Sequence, residues 1–92
     1  MLKTGLDFMM EFVQEYLNGE KDRMIFDIDF DHYLIENYPE MERIDPEMAE
    51  CFAFYLSEEG IDRTEGLSDS QHKTLIRRQF KAFSKALKDG MW

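Results

Sequence analysis

Asp27, Asp29 and Asp31, three aspartates at alternate positions, are the densest set of potential ligands in the sequence. Acids at positions 1, 3 and 5 open the calcium loop of an EF-hand, in which carboxylates and a backbone carbonyl wrap the ion. The later positions of that loop are wrong. The sixth place, which needs glycine for a sharp turn, is His32, and the twelfth, which needs a bidentate glutamate, is Tyr38, with Glu36 two places early. A specific calcium site is therefore not expected. His32 and His72 stand alone, without the His-x-x-x-His or Cys-x-x-Cys spacing of a zinc site, and His32, beside Asp31, reads as a surface or capping group. Cys51 has no adjacent Lys, Arg or His to favour its thiolate, so it reads as a small core residue and not as a nucleophile. No Gly-x-Ser-x-Gly, Walker loop or dinucleotide fingerprint occurs. The expectation is a chain without catalytic residues, metal ligands or cofactor.

The elements that carry these residues read as helices. Thr4 with Asp7 three residues on is close to a capping box, and Leu6, Met9, Met10, Phe12, Val13, Tyr16 and Leu17 follow at helical spacing toward Gly19. A first helix is predicted over about residues 5–18, and Phe8, off the main stripe, points to a broad buried face. Phe26, Ile28 and Phe30 alternate with the aspartates as in a half-buried strand, yet no second segment alternates to pair with it. Residues 24–31 are therefore assigned to helix: a short one over about 20–26, then a second over about 30–37, capped by Asp27 or Asp29 and ended by Pro39. Asp45-Pro46-Glu47 starts the next helix, with the stripe Met48, Phe52, Tyr55 and Leu56, closed by Gly60 with Ile61 packing just beyond it. After a loop over 60–68, Ser68 and Gln71 make a capping box for a last helix near 69–88. Leu75, Ile76, Phe80, Phe83, Ala86 and Leu87 form its apolar face, Lys73, Arg77, Lys81 and Lys88 the opposite one, and Gly90 the stop. The predicted fold is all-α: a compact single-domain bundle of four or five helices spanning residues 1–92.

Ninety-two residues suffice for one core, and 43% hydrophobic residues are too many for a disordered acidic tail. A net charge of −9 argues against direct nucleic-acid binding, because phosphate contacts need a surplus of Lys and Arg. No apolar run suggests a signal peptide or a membrane span, and a single cysteine fits a reducing setting, so a cytoplasmic protein without membrane contact is expected. The charge is divided along the chain. Residues 1–69 hold 5 Lys+Arg against 19 Asp+Glu, a balance of −14; residues 70–92 hold 6 Lys+Arg against Asp89 alone, a balance of +5. The basic last helix is expected to be partly neutralised by acids of its neighbours, while the surplus between Asp27 and Glu50 is left to face a partner of opposite charge.

Candidate partner-binding residues are Asp27, Asp29, Asp31, Glu36, Glu40, Glu42, Glu47 and Glu50, with Tyr33 and Tyr38 as aromatic anchors; Phe54 and Trp92 are further aromatics in excess of core needs. Three runs, 26–36, 49–60 and 67–73, cover about a third of the chain. They resemble stretches of small acidic helical immunity proteins encoded beside contact-dependent or polymorphic bacterial toxins. None carries a motif of known chemistry, so no residue role is transferred. The resemblance implies a cytosolic, non-catalytic inhibitor whose partner is a basic toxin domain, most naturally a nuclease. A nucleic-acid mimic that blocks a restriction, CRISPR or DNA-binding protein, and a small accessory subunit that binds a partner helix, are the alternatives. Nothing in the sequence specifies an oligomeric state.

Overall fold

The computed structural model describes residues 4–90. Each helix begins on a side-chain cap that satisfies a backbone N–H the helix itself leaves unpaired. Thr4 and Asp7 close a reciprocal box at the start of α1 (Gly5–Leu17), with bonds of 3.1 and 3.2 Å. Asp22 accepts from the Ile25 N–H at 2.9 Å to start α2 (Arg23–Ile44). Asp45 caps α3 (Pro46–Ala53), whose first residue is the expected proline. Ser68 and Gln71 box the start of α4 (Asp69–Asp89), which ends on left-handed Gly90. Between α3 and α4 the chain makes a single wide π-turn over Phe54–Glu58, and then a 3-10 turn over Ile61–Arg63. The fold is all-α, with four helices among the described residues and no strand.

Two boundaries differ from the sequence reading. Residues 20–37 do not form two short helices; α2 runs unbroken for 22 residues, so Asp27 and Asp29 lie inside it and cap nothing. Pro39 also lies within α2 and does not end it. A proline here removes only the bond that would reach the Ile35 carbonyl. Ile35 and Pro39 are both exposed, so water can donate to that carbonyl in place of the missing N–H. The last turns are then anchored by Met41, which is fully buried, and by half-buried Tyr38. The π-turn is the other departure: the Glu59 N–H reaches back five residues to the Phe54 carbonyl at 2.8 Å. Gly60 follows because a Cβ there would collide with the Leu56 carbonyl oxygen.

The core is a run of stacked and edge-on rings that crosses all four helices. Phe12 and Tyr16 of α1 stack on Phe26 of α2, with centroids 5.4 and 4.3 Å apart. Phe26 leads to Phe30, Phe30 to Phe52 of α3, and Phe52 edge-on to Phe83 of α4 at 5.1 Å. Met9, Val13, Met41, Ala49, Leu56 and Ile76 fill the space around them with no exposure. Gly5 lets α1 approach α2 closely: a Cβ there would lie 3.0 Å from the Asn37 carbonyl oxygen. The radius of gyration, 12.5 Å, is near the ~12 Å expected of a compact chain this long. No helix among the described residues is long and apolar enough to cross a membrane.

Candidate functional site

A helix in a small domain normally keeps one apolar face for the core and a polar one for water. α2 is apolar on both. Its inner face buries Phe26, Phe30 and Met41, whereas its outer face exposes Met24 (71%), Ile28 (66%) and Ile35 (74%). Residues 24, 28, 31, 35, 39 and 42 succeed one another by three or four places and so form one seam along the helix. The seam reads Met24, Ile28, Asp31, Ile35, Pro39 and Glu42, every one of them exposed. His32 and Glu36 flank it, with Nε2 of His32 3.2 Å from a carboxylate oxygen of Glu36. Asp31, Glu36 and Glu42, three of the acids expected to bind a partner, thus lie on or beside an apolar strip that the sequence reading did not pick out.

Those acids do not form one cluster. Asp31, Glu36 and Glu42 lie on or beside the seam, and half-buried Asp29 lies on the flank that also carries Glu36. Glu47 and Glu50 stand exposed on α3, where with Cys51, Phe54 and Tyr55 they line an open cleft of about 310 Å³. Tyr38 joins the two groups: burial, and after it the charges of Glu42 and Glu50, push its phenol pKa above the ordinary value. Phe54, 45% exposed, adds an apolar ring at this end. Burial likewise pushes the Cys51 thiol up, away from the thiolate.

Three predicted residues are engaged within the fold. Glu40 accepts a hydrogen bond from the Gly5 N–H, the first of α1, and so ties the two helices where they cross. Tyr33 is half-buried and sits edge-on to Phe8 at 5.1 Å and Phe12 at 5.2 Å, sealing the α1–α2 contact. Phe8 itself is 37% exposed, so the buried face of α1 is narrower than expected. Asp27 accepts from His72 Nε2 at 2.8 Å and lies 3.8 Å from the Arg23 guanidinium.

His72 is wholly buried. Its Nε2–H faces an acceptor-only carboxylate, so Nδ1 is free to accept the Tyr16 O–H at 2.7 Å. Tyr16, His72 and Asp27 thereby link α1, α4 and α2 through one polar thread in an aromatic core. Burial first, and then the Asp27 charge, push the Tyr16 phenol pKa to about 12. With no exposure, His72 cannot meet a substrate, so this Tyr–His–Asp arrangement is a structural tie. Its signal was present in the sequence: His72 continues the stripe of Ile76, Phe80 and Phe83 by one turn. Arg23 was likewise missed. It donates to the carbonyls of Leu67 at 2.5 Å and Thr64 at 3.0 Å and pairs with Asp69 at 3.2 Å, pinning the 60–68 loop to α2.

Within one helix Asp27 and Asp31, four places apart, share a face while Asp29 points away from it, and Asp27 is taken up by His72 and Arg23. Among the described residues, no group of three or more His, Cys, Asp or Glu is placed to hold a metal ion. Lys73, Arg77, Arg78, Lys81, Lys85 and Lys88 form no ion pair among the described residues. Trp92 lies outside the described residues. No protein-family model matches the chain, and neither a curated protein nor a solved structure shows significant similarity to it.

Proposed function

We propose that the protein is a non-catalytic, cytoplasmic inhibitor of the immunity type, which neutralises a basic bacterial toxin domain, most naturally a nuclease, by docking the outer face of α2 on it. The observation that carries this reading is the exposed seam of Met24, Ile28 and Ile35 set among Asp31, Glu36 and Glu42. Covering three such side chains contributes on the order of 5 kcal/mol before the cost of association. The surrounding acids add steering toward a cleft that is positive because it must hold phosphate. Glu47 and Glu50 extend the surface onto α3, and Phe54 onto the π-turn that follows it. The resemblance to small acidic immunity proteins points the same way. A nucleic-acid mimic fits less well, since mimicry calls for negative charge without the basic outer face that α4 presents.

The test is recovery of the partner from a native lysate with the wild-type chain, followed by measurement of its binding to variants. A basic toxin domain that binds faster at low salt, and is lost with Ile28→Lys or Ile35→Lys, supports the reading. Recovery of a DNA-processing defence enzyme supports mimicry instead. A partner whose affinity is unchanged by Ile28→Lys, Ile35→Lys and Asp31→Lys would remove α2 from the interface.

A further inference from the structure

One cleft of this acidic chain is lined by several cations. It lies where the end of α1, the start of α2 and the first turns of α4 meet, and its volume is roughly 350 Å³. We infer that this cleft binds the phosphoryl group of a small phosphate monoester. Four cations line it: Lys21, Arg23, Lys73 and Arg77. Two carboxylates share the wall, and both are committed elsewhere. Asp22 caps α2 through the Ile25 N–H at 2.9 Å, and Asp69, its side chain 91% exposed, is held by Arg23. Arg23 is spent on the loop carbonyls, and Lys21 pairs with Glu15 at 3.5 Å.

Lys73 and Arg77 have no such partner. Lys73 lies over the Tyr16 ring, 5.1 Å from its centroid, and Arg77 makes one long contact, 3.4 Å, with the Leu17 carbonyl. Ser70 and Thr74 stand beside them, so α4 presents hydroxyl, ammonium, hydroxyl and guanidinium at i, i+3, i+4 and i+7. Those positions share one face of a helix. Two cations and two hydroxyl donors match the three oxygens of a phosphate monoester, and the guanidinium offers the paired N–H fork that phosphate favours.

The ester's organic part has a place as well. Arg77 also borders a second cleft of about 340 Å³, in which Leu17 and Phe80 supply apolar surface and Gln14, Asn18 and Ser84 polar groups. A group of nucleoside size bonded to the phosphoryl would lie there, with Arg77 at the junction. Ligand pockets of this kind measure about 300–1,000 Å³.

The experiment is an NMR titration of the full chain with adenosine monophosphate at constant ionic strength, with inorganic phosphate as competitor. Saturable shifts at the amides of Ser70, Lys73, Thr74 and Arg77, with a Kd of about 0.1–1 mM, are expected. Lys73→Ala and Arg77→Ala each weaken binding about tenfold, with Arg77→Gln as a second variant, while Lys85→Ala and Lys88→Ala leave it unchanged. Inorganic phosphate displaces the nucleotide but binds less tightly. Thermal melts of each variant separate loss of the site from loss of the fold. The site is overturned by the absence of saturation at about 10 mM, by equal weakening in all four alanine variants, or by failure of phosphate to compete. Equal affinity for phosphate and nucleotide would remove the second cleft from the proposal.

Discussion

Tyr16→Phe deletes one oxygen and leaves the ring in place, which isolates what the buried thread of Tyr16, His72 and Asp27 contributes. The phenyl ring keeps its stacking on Phe26 at 4.3 Å, so little packing is lost. The loss is the 2.7 Å bond to His72 Nδ1. That nitrogen belongs to a side chain with no exposure, so water cannot replace the donor. An unsatisfied buried polar group costs about 1–3 kcal/mol. For a domain of this size that lowers Tm by about 5–20 °C. Urea unfolding should show a lower midpoint with an unchanged slope, because the surface exposed on unfolding does not change. The substitution also has a signature in pH. Tyr16 titrates at about 12 in the folded chain and near 10.0 when unfolded, so the unfolded chain releases its proton first. Its contribution is therefore complete below pH 10 and is lost as pH rises toward 12, by on the order of 2–3 kcal/mol. Tyr16→Phe should flatten that decline, leaving the smaller share of Tyr38 and Cys51, whose raised pKa values act in the same direction. Stability within about 0.5 kcal/mol of wild type, or an undiminished alkaline loss, would refute the account.

Pro39→Ala should stabilise the protein by about 1–3 kcal/mol, seen as a higher Tm, because it restores a helix-interior bond at an exposed position. Gly60→Ala should destabilise by about 2 kcal/mol or more, since the new Cβ meets the Leu56 carbonyl, and should speed hydrogen exchange at the Glu59 amide. Arg23→Gln removes the charged donor from the Thr64 and Leu67 carbonyls and should cost about 1.5–3 kcal/mol. Exchange at the Thr64 and Leu67 amides should then accelerate well before that of α1, and uniform acceleration across the chain would contradict a local clamp.

How well the sequence foretold each element followed from how local its determinants were. Thr4 with Asp7, Asp45 with Pro46, and Ser68 with Gln71 each set a helix start within four residues, and those starts stand where they were read. α2 defied the same reading because its apolar residues face both ways, so no single stripe marks it as amphipathic and Phe26-Asp27-Ile28-Asp29-Phe30 imitates a strand. Pro39 looked like a terminator because the burial of Met41 beyond it is a tertiary fact. The π-turn depends on how Leu56 and Gly60 pack and has no signature in spacing. For the candidate site, the acids were countable but their allegiances were not. Glu40 finds its partner 35 residues away at Gly5, and Asp27 finds His72 45 residues away. Only the fold separates these from Asp31 and Glu42, which stay in water.

The two apolar faces of α2 give substitutions two different currencies. A change at Phe26, Phe30 or Met41 alters folding, because each is fully enclosed. A change at Met24, Ile28 or Ile35 alters surface that the fold does not use. Stability thresholds remove most variation from enclosed positions, whereas positions outside the core drift without crossing them. The outer seam can therefore be rewritten one residue at a time while the domain stays folded at every step. On the proposed reading of that seam as a binding surface, a lineage carrying this helix can change its partner without an unstable intermediate, on a scaffold whose interior remains constant.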